Sequence, residues 1–302
     1  MRVTQSMLSN NFLKNISNSY EKMGKISEQM QTQKKITRPS DDPVVAMKGI
    51  AYRTNLTEVQ QYKRNFIEAH NWIDNSDAAM DKAKKALDRI RELTVNANNG
   101  TLEGDQRAAI AKEIEQLRDQ LAEVANTRVG DKYLFNGTDT LKPPVGDVTG
   151  KKLDTNGNPV YEVSTNDSPV KLELSKGVYI QVNSSGKEVF SEDLFKDINS
   201  LLNKLDPNNS SVDLGEDLSN IDKHINTLIN ERATIGARDN RIELMEDRID
   251  QQEVNATKMM SQNEDADMEK VIMDLITQES VQRASLGMGA RIIQPTLLDF
   301  LR

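Results

Sequence analysis

Residues Phe66–Ala97 read FIEAHNWIDNSDAAMDKAKKALDRIRELTVNA. Within them Phe66, Ala69, Ile73, Ser76, Met80, Ala83, Leu87, Ile90, Thr94 and Ala97 recur at alternating three- and four-residue steps. A seam that returns every seven residues is the signature of a long helix packed lengthwise against other helices. Asn98-Asn99-Gly100 supplies a stop, because glycine takes the left-handed conformation cheaply. Upstream, Asp42 followed by Pro43 reads as an N-cap with proline at the first helical position. A second helix is predicted from about Asp105 to Val129, with Ile110, Ile114, Leu117, Leu121 and Val124 on one stripe. In the C-terminal half Ile221, Leu228, Ile235, Ile242, Ile249 and Ala256 lie at strict seven-residue intervals. The facing positions hold Ile225 but also Arg232, Asp239 and Glu246, so this seam is narrow and needs partner helices.

Proline and glycine divide the rest. No proline occurs between Val44 and Lys142 or between Asn208 and Gln294, whereas Pro143, Pro144, Pro159 and Pro169 crowd one short stretch with five glycines. Proline inside a helix loses a hydrogen bond and clashes with the previous turn. That stretch, 138–190, also holds the alternating, β-branched runs Val160–Val163, Val170–Leu174 and Val178–Val182, which predict strands. A short helix follows, with Ser191 as N-cap and Leu194, Phe195, Ile198, Leu201, Leu202 and Leu205 apolar. The expected fold is mainly α with a β-rich insert: an elongated antiparallel helical bundle or coiled coil built from both termini, plus a small β-rich domain. The expected division is a helical body over 41–137 and 206–285, a β-rich outer domain with its short helix over 138–205, and terminal segments at 1–40 and 286–302. Because the seams lie outside 138–190, that stretch is expected to be dispensable for assembly, the bundle keeping most of its buried area without it. Both ends are amphipathic: Leu8, Phe12 and Ile16 at one, and Ile292, Ile293, Leu297, Leu298 and Leu301 at the other. Such short stripes have no obvious body to cover them, and short isolated helices are marginal in water; they are expected to satisfy each other or other subunits.

Composition narrows the function. Only 36% of the 302 residues are hydrophobic and 4% aromatic, enough for a thin core. A net charge of −8 disfavours a dedicated nucleic-acid partner. The absence of cysteine removes disulfides, thiolate chemistry and zinc ribbons together. No apolar run suggests a membrane span or a cleavable secretory signal. His70 and His224 read as solvated helix-surface residues, and neither has metal-ligand spacing. Asp41-Asp42 reads as a cap rather than paired catalytic acids. Gly287-Met288-Gly289 follows no strand and is not a nucleotide loop. The twelve methionines read as core fillers. Lys34-Lys35 and Lys84-Lys85 read as solvated pairs. No catalytic, cofactor or metal constellation emerges, and the expectation is a non-enzymatic protein without a cofactor.

LDRIRELTVNANNGT (Leu87–Thr101) resembles the helix-end motif of bacterial flagellins. YLFNG (Tyr133–Gly137) and RATIGAR (Arg232–Arg238) are similar to stretches of the same superfamily. KITRPSDDP (Lys35–Pro43) and MRVTQSML (Met1–Leu8) resemble the hook–filament junction branch, and LGMGARIIQP (Leu286–Pro295) departs from the usual flagellin tail. The resemblance covers roughly 1–140 and 205–302. It implies a structural subunit of the bacterial flagellum, an adaptor between hook and filament, exported without a cleaved signal through the flagellar type III channel. It further implies terminal segments that are disordered in the free subunit and form a coiled coil in the polymer. The partners implied are hook-associated protein 1, flagellin or the filament cap protein, further copies of itself in a ring, and an export chaperone on the C-terminal segment. A minor filament flagellin and a cytoplasmic coiled-coil signalling protein are the alternatives.

Overall fold

The computed structural model describes residues 5–98, 104–146, 159–206 and 213–292. In chain order the elements are α1 (Gln5–Thr32), α2 (Pro43–Asn98), α3 (Gly104–Ala125), β1 (Arg128–Val129), β2 (Lys132–Tyr133), β3 (Lys171–Ser175), β4 (Val178–Gln181), α4 (Gly186–Val189), α5 (Glu192–Lys204), α6 (Gly215–Glu264) and α7 (Met268–Ile292). The fold is therefore mainly α-helical with small antiparallel β pairings. The chain forms two compact units, residues 59–250 and residues 1–58 with 251–302, and α2 and α6 each run through both.

The central unit, 59–250, is organised by the α2 seam. All ten seam residues from Phe66 to Ala97 are buried, and Val59 continues the line one heptad earlier. Trp72, Ala79, Ala86 and Leu93 add a second buried line, also at seven-residue steps, which widens the stripe. On α6, Ile221, Leu228, Ile235, Ile242 and Ile249 are buried in this unit. The polar residues facing that line meet partners on α2. Arg232 donates through Nε and Nη2 to Asp77 at 2.8 and 3.0 Å, and through Nη1 to Asp81 at 3.1 Å. Arg91 Nε donates to Asp222 at 2.6 Å, and Lys63 Nζ lies 2.9 Å from Asp250. Numbers fall on α2 as they rise on α6, so the two helices are antiparallel here. Partly exposed pairs contribute about 0.2–1 kcal/mol each; they fix register while the apolar lines supply the stability.

The histidines are corrected by the same geometry. His70 is half-buried, its Nε2 3.0 Å from Glu246 Oε2 and its Nδ1 3.4 Å from Asp239 Oδ1. His224 Nε2 lies 2.9 Å from Asp197 Oδ2 on α5. Neither is a solvated surface residue; each ties two helices together through carboxylates distant in sequence.

The helix α3 stops at Ala125, short of the expected Val129. The Asn126 side chain pairs like a strand with Val145, donating to its carbonyl at 3.0 Å and accepting from its N–H at 3.1 Å. Arg128–Val129 then enters a hairpin with Lys132–Tyr133, turned at Gly130 with φ +58°. Of the three expected strands, β3 and β4 form, paired Lys171↔Gln181 to Ser175↔Val178. Val160–Val163 makes only a bridge, Val163 to Val145. Ser191 Oγ accepts from the Leu194 N–H at 3.2 Å, and α5 buries Leu194, Phe195, Ile198 and Leu201.

The 138–190 stretch is not peripheral, against the expectation from seam spacing. Val145, Tyr161, Leu174, Ile180, Val182, Val189 and Phe190 belong to the same buried cluster as the α2 and α6 lines. A Cβ on Gly186 would overlap the Phe135 carbonyl, so only glycine allows that approach. Arg118 on α3, its side chain 2% exposed, donates to Asn199 Oδ1 and Tyr161 Oη, both at 3.0 Å, and to Asp119. Burial and the hydrogen bond to Asp119 raise the Tyr161 phenol far above its ordinary value. The insert and the helices share one core.

Candidate assembly interface

The terminal unit is built differently. The helix α1 ends at Thr32, where Gln33 takes a left-handed φ of +57°, a conformation that costs a side-chain-bearing residue energy. The chain then pairs with the break between α6 and α7. The Lys35 N–H donates to the Glu264 carbonyl at 2.7 Å and the Ala266 N–H to the Gln33 carbonyl at 2.9 Å. Lys34 Nζ donates to Asp265 Oδ1 at 2.6 Å and lies 3.6 Å from Glu264 Oε2, so Lys34 is not the solvated residue expected. That hydrogen bond is the main cause that lifts the Lys34 ammonium above its ordinary range. It also leads in holding the Asp265 carboxyl below the usual carboxylate range, ahead of the Ser261 hydroxyl donating at 2.6 Å. Asp42 stands immediately before α2, its Oδ1 accepting from the Val44 and Val45 N–H groups at 2.9 and 3.1 Å; Pro43 is the first residue of that helix.

The helices α1 and α7 pack antiparallel. Gln278 Nε2 donates to Ser19 Oγ at 2.6 Å, and a Cβ on Gly289 would overlap the Phe12 ring. On α7 the buried and half-buried residues with described side chains are Met268, Val271, Leu275, Gln278, Gln282, Ser285 and Gly289, a three-four seam that turns polar or small after Leu275. Six of its larger apolar residues, Ile272, Met273, Ile276, Val281, Leu286 and Met288, are exposed. So are Met7, Leu8, Leu13, Tyr20 and Met30 on α1, Val44, Met47 and Ile50 on α2, and Val254 and Met259 on α6. Among the described residues this unit holds sixteen of the twenty-three exposed large apolar side chains. Yet it holds only Ala256 and Val271 of the forty-three buried apolar residues. Exposed large apolar side chains so concentrated in one unit, with so few buried ones beside them, call for an explanation. The arrangement is that of a surface made to be covered.

Of the sequence-derived stripe, Leu8 is exposed and Phe12 and Ile16 are half-buried. Ile292 ends α7, and Ile293, Leu297, Leu298 and Leu301 lie outside the described residues. At 28 and 25 residues, α1 and α7 exceed the length at which isolated helices are marginal, and each has the other as partner. The outward apolar residues of α2, α6 and α7 were not read from the sequence. Their signal is a seam on which Gln278, Gln282 and Gly289 stand where a core would hold leucine. Among the described residues no group of three or more His, Asp or Glu side chains could hold a metal ion, and no helix is long and apolar enough to cross a membrane.

Comparison with known proteins agrees with this arrangement. Residues 3–140 match the bacterial flagellin N-terminal helical region and residues 218–301 the C-terminal helical region. Flagellar hook-associated protein 3 of Escherichia coli strain K12 is 25% identical over 300 residues, covering 94% of this chain and 95% of that one. Flagellin of Bacillus subtilis strain 168 is 24% identical over the whole of both chains. A solved flagellar hook-associated protein from Vibrio parahaemolyticus superposes with a TM-score of 0.66 at 19% identity, covering 74% of this chain and all of that one. With the flagellin N- and C-terminal helical regions matched at the two ends and the fold shared, the chain belongs to the bacterial flagellin superfamily.

Proposed function

We propose that this chain is a structural subunit of the bacterial flagellum, an adaptor at the junction between hook and filament that assembles through its terminal helices. The observation that carries this reading is the outward apolar face of α7, opposite a polar seam to α1. A helix of that pattern completes its burial only in a polymer. The assembly surface includes Leu8, Phe12 and Ile16 on α1, Ile292 at the end of α7, and Ile293, Leu297, Leu298 and Leu301 after it. Its neighbours are further copies of the chain in a ring, hook-associated protein 1 on one side, and flagellin or the filament cap protein on the other. An export chaperone covers the C-terminal segment before the chain leaves, without a cleaved signal, for the extracellular flagellum. The full-length similarity to a hook-associated protein 3 and the KITRPSDDP stretch support the junction over the filament.

Location tests the reading. Tagged chain is expected in washed hook–basal-body preparations at a small fraction of the flagellin present in sheared filament. Abundance throughout sheared filament would make it a minor flagellin, and confinement to cytosol a signalling coiled coil; either result refutes the junction role.

A further inference from the structure

In the terminal unit, the turn after α1, the first turns of α2 and the end of α6 enclose a cleft of about 150 Å³. Ile36, Val45 and Ile50 give it apolar walls, and Lys34, Arg53 and Glu264 a polar end. Glu264 is only 5% exposed. Its Oε2 accepts from Arg53 Nη2 at 2.7 Å and has Lys34 Nζ at 3.6 Å, but no donor among the described residues reaches Oε1. Gly49 leaves the room that this carboxylate occupies: a Cβ there would stand 2.8 Å from Oε1. A buried acceptor left unmade costs free energy until a donor arrives. Here the donor has to enter through the mouth of the cleft. Ile50, which lines it, is 66% exposed, and Val44 and Met47 on the same helix are exposed as well.

We propose that this cleft is a socket for a second copy of the chain, filled by the first turns of that copy's α1. Lys34 and Arg53 already flank the carboxylate, so a third cation is unnecessary and repelled by them. A neutral side-chain amide can donate to Oε1, and an apolar side chain beside it can fill the walls. Residues 5–13 read QSMLSNNFL and carry no charge. In that stretch exposed Met7, Leu8 and Leu13 bracket exposed Asn10 and Asn11, which is the chemistry the socket asks for. The proposal rests on the reading that the chain assembles with its own copies.

A photo-crosslinking residue, p-benzoylphenylalanine, placed at position 50 of the full chain reports the occupant in flagella purified from the producing cells. The expected product joins two copies of this chain, with the adduct within residues 7–13 of the second. Gly49→Ala in the same chain should lower its yield about fivefold or more by disturbing the acceptor, with unchanged melting of the soluble subunit. An adduct to another protein or another segment, or an unchanged yield with Gly49→Ala, overturns the socket. If the chain is incorporated but position 50 joins no second copy, the socket alone fails. If the unsubstituted chain is absent from flagella, the assembly reading fails and the socket with it.

Discussion

Replacing residues 138–190 with a flexible linker of similar span separates two accounts of the insert. Seam spacing on α2 and α6 makes it an appendage; the structure makes it part of the core. The replacement removes Val145, Tyr161, Leu174, Ile180, Val182, Val189 and Phe190, each less than 5% exposed. At about 1.5–3 kcal/mol per fully buried side chain, the apolar loss is roughly 10–20 kcal/mol, an upper estimate because unfolded chains bury some surface too. That rivals the roughly 5–15 kcal/mol by which a whole domain is stable. It also strips the Tyr161 hydroxyl from Arg118, the Glu173 carbonyl from Asn65 and the Asn183 carbonyl from Arg238. A milder probe is Phe190→Ala, which empties the edge-to-face contact with Phe135, centroids 5.0 Å apart, at an expected cost of about 3–5 kcal/mol. Trp72 is the sole tryptophan and is buried in the same unit, so its fluorescence through urea unfolding reports the right core. The linker chain should lose its cooperative transition, and Phe190→Ala should lower the midpoint with little change in slope. A linker chain that unfolds at the wild-type midpoint with native Trp72 emission would refute the shared core.

Other perturbations test other parts. Asp42→Ala should lower stability by about 1 kcal/mol and Asp42→Asn be nearly neutral; equal loss of filament attachment in both, with unchanged melting, would instead place the carboxylate against a neighbouring subunit. Arg118→Met leaves Asn199 Oδ1 without its buried donor and weakens the tie to Tyr161; it should cost about 2–3 kcal/mol in urea unfolding, and a midpoint equal to wild type would show the network to be idle. Among the described residues, 59–250 alone hold forty-one of the forty-three buried apolar ones; that fragment should fold cooperatively by circular dichroism and fail to join hooks to filaments, and its collapse would sink the division. Asp265 is held ionised below the ordinary carboxylate range of about 4, so its contribution is present above that range and lost as pH falls through the lowered value. The protection factors of the Lys35 and Ala266 amides, which donate to the Glu264 and Gln33 carbonyls, taken against the intrinsic exchange rate at each pH, should fall on acidification, and Asp265→Asn should flatten the dependence; equal profiles would reject the link.

What the sequence reveals of this fold depends on whether a residue's neighbours share its periodicity. The ten α2 seam positions and the α6 line from Ile221 to Ala256 were legible because a seven-residue recurrence maps one side of a long helix without knowledge of the partner. Ser191 was legible as a cap because its acceptor and the Leu194 N–H are three residues apart. The carboxylates on His70 and His224 were not, because Glu246, Asp239 and Asp197 reach them from other helices. Nor was the length of α3, since Asn126 leaves helix to pair with Val145, a tertiary choice that local propensity cannot foresee. The insert misleads for a related reason: its strands lack helical period, and what joins them to the bundle is burial shared across distant sequence, as at Tyr161, Leu174, Ile180 and Phe190.

The terminal unit shows why the assembly surface was only half read. Seven and fourteen residues before Val59, the α2 line continues as Tyr52 and Val45, but both are only half-buried, and the large apolar residues nearby point outward. On α7 the inversion goes further: Val271 is buried and Met268 and Leu275 are half-buried, but the seam then passes to Gln278, which bonds Ser19 of α1, and to buried Gln282. An apolar count treats Ile272 and Ile276 as core, because composition does not say which side of a helix has a neighbour. The same chain therefore carries two kinds of helix pairing. Where apolar lines face each other, α2 and α6 make a unit that accounts for its own burial; on α7 the polar and small residues are the buried ones, α1 half-buries Phe12, Ile16, Met23 and Ile26, and most of the large apolar side chains of α7 face outward. One chain thus holds a unit with its own apolar core and, among its described residues, a unit whose large apolar side chains mostly face outward.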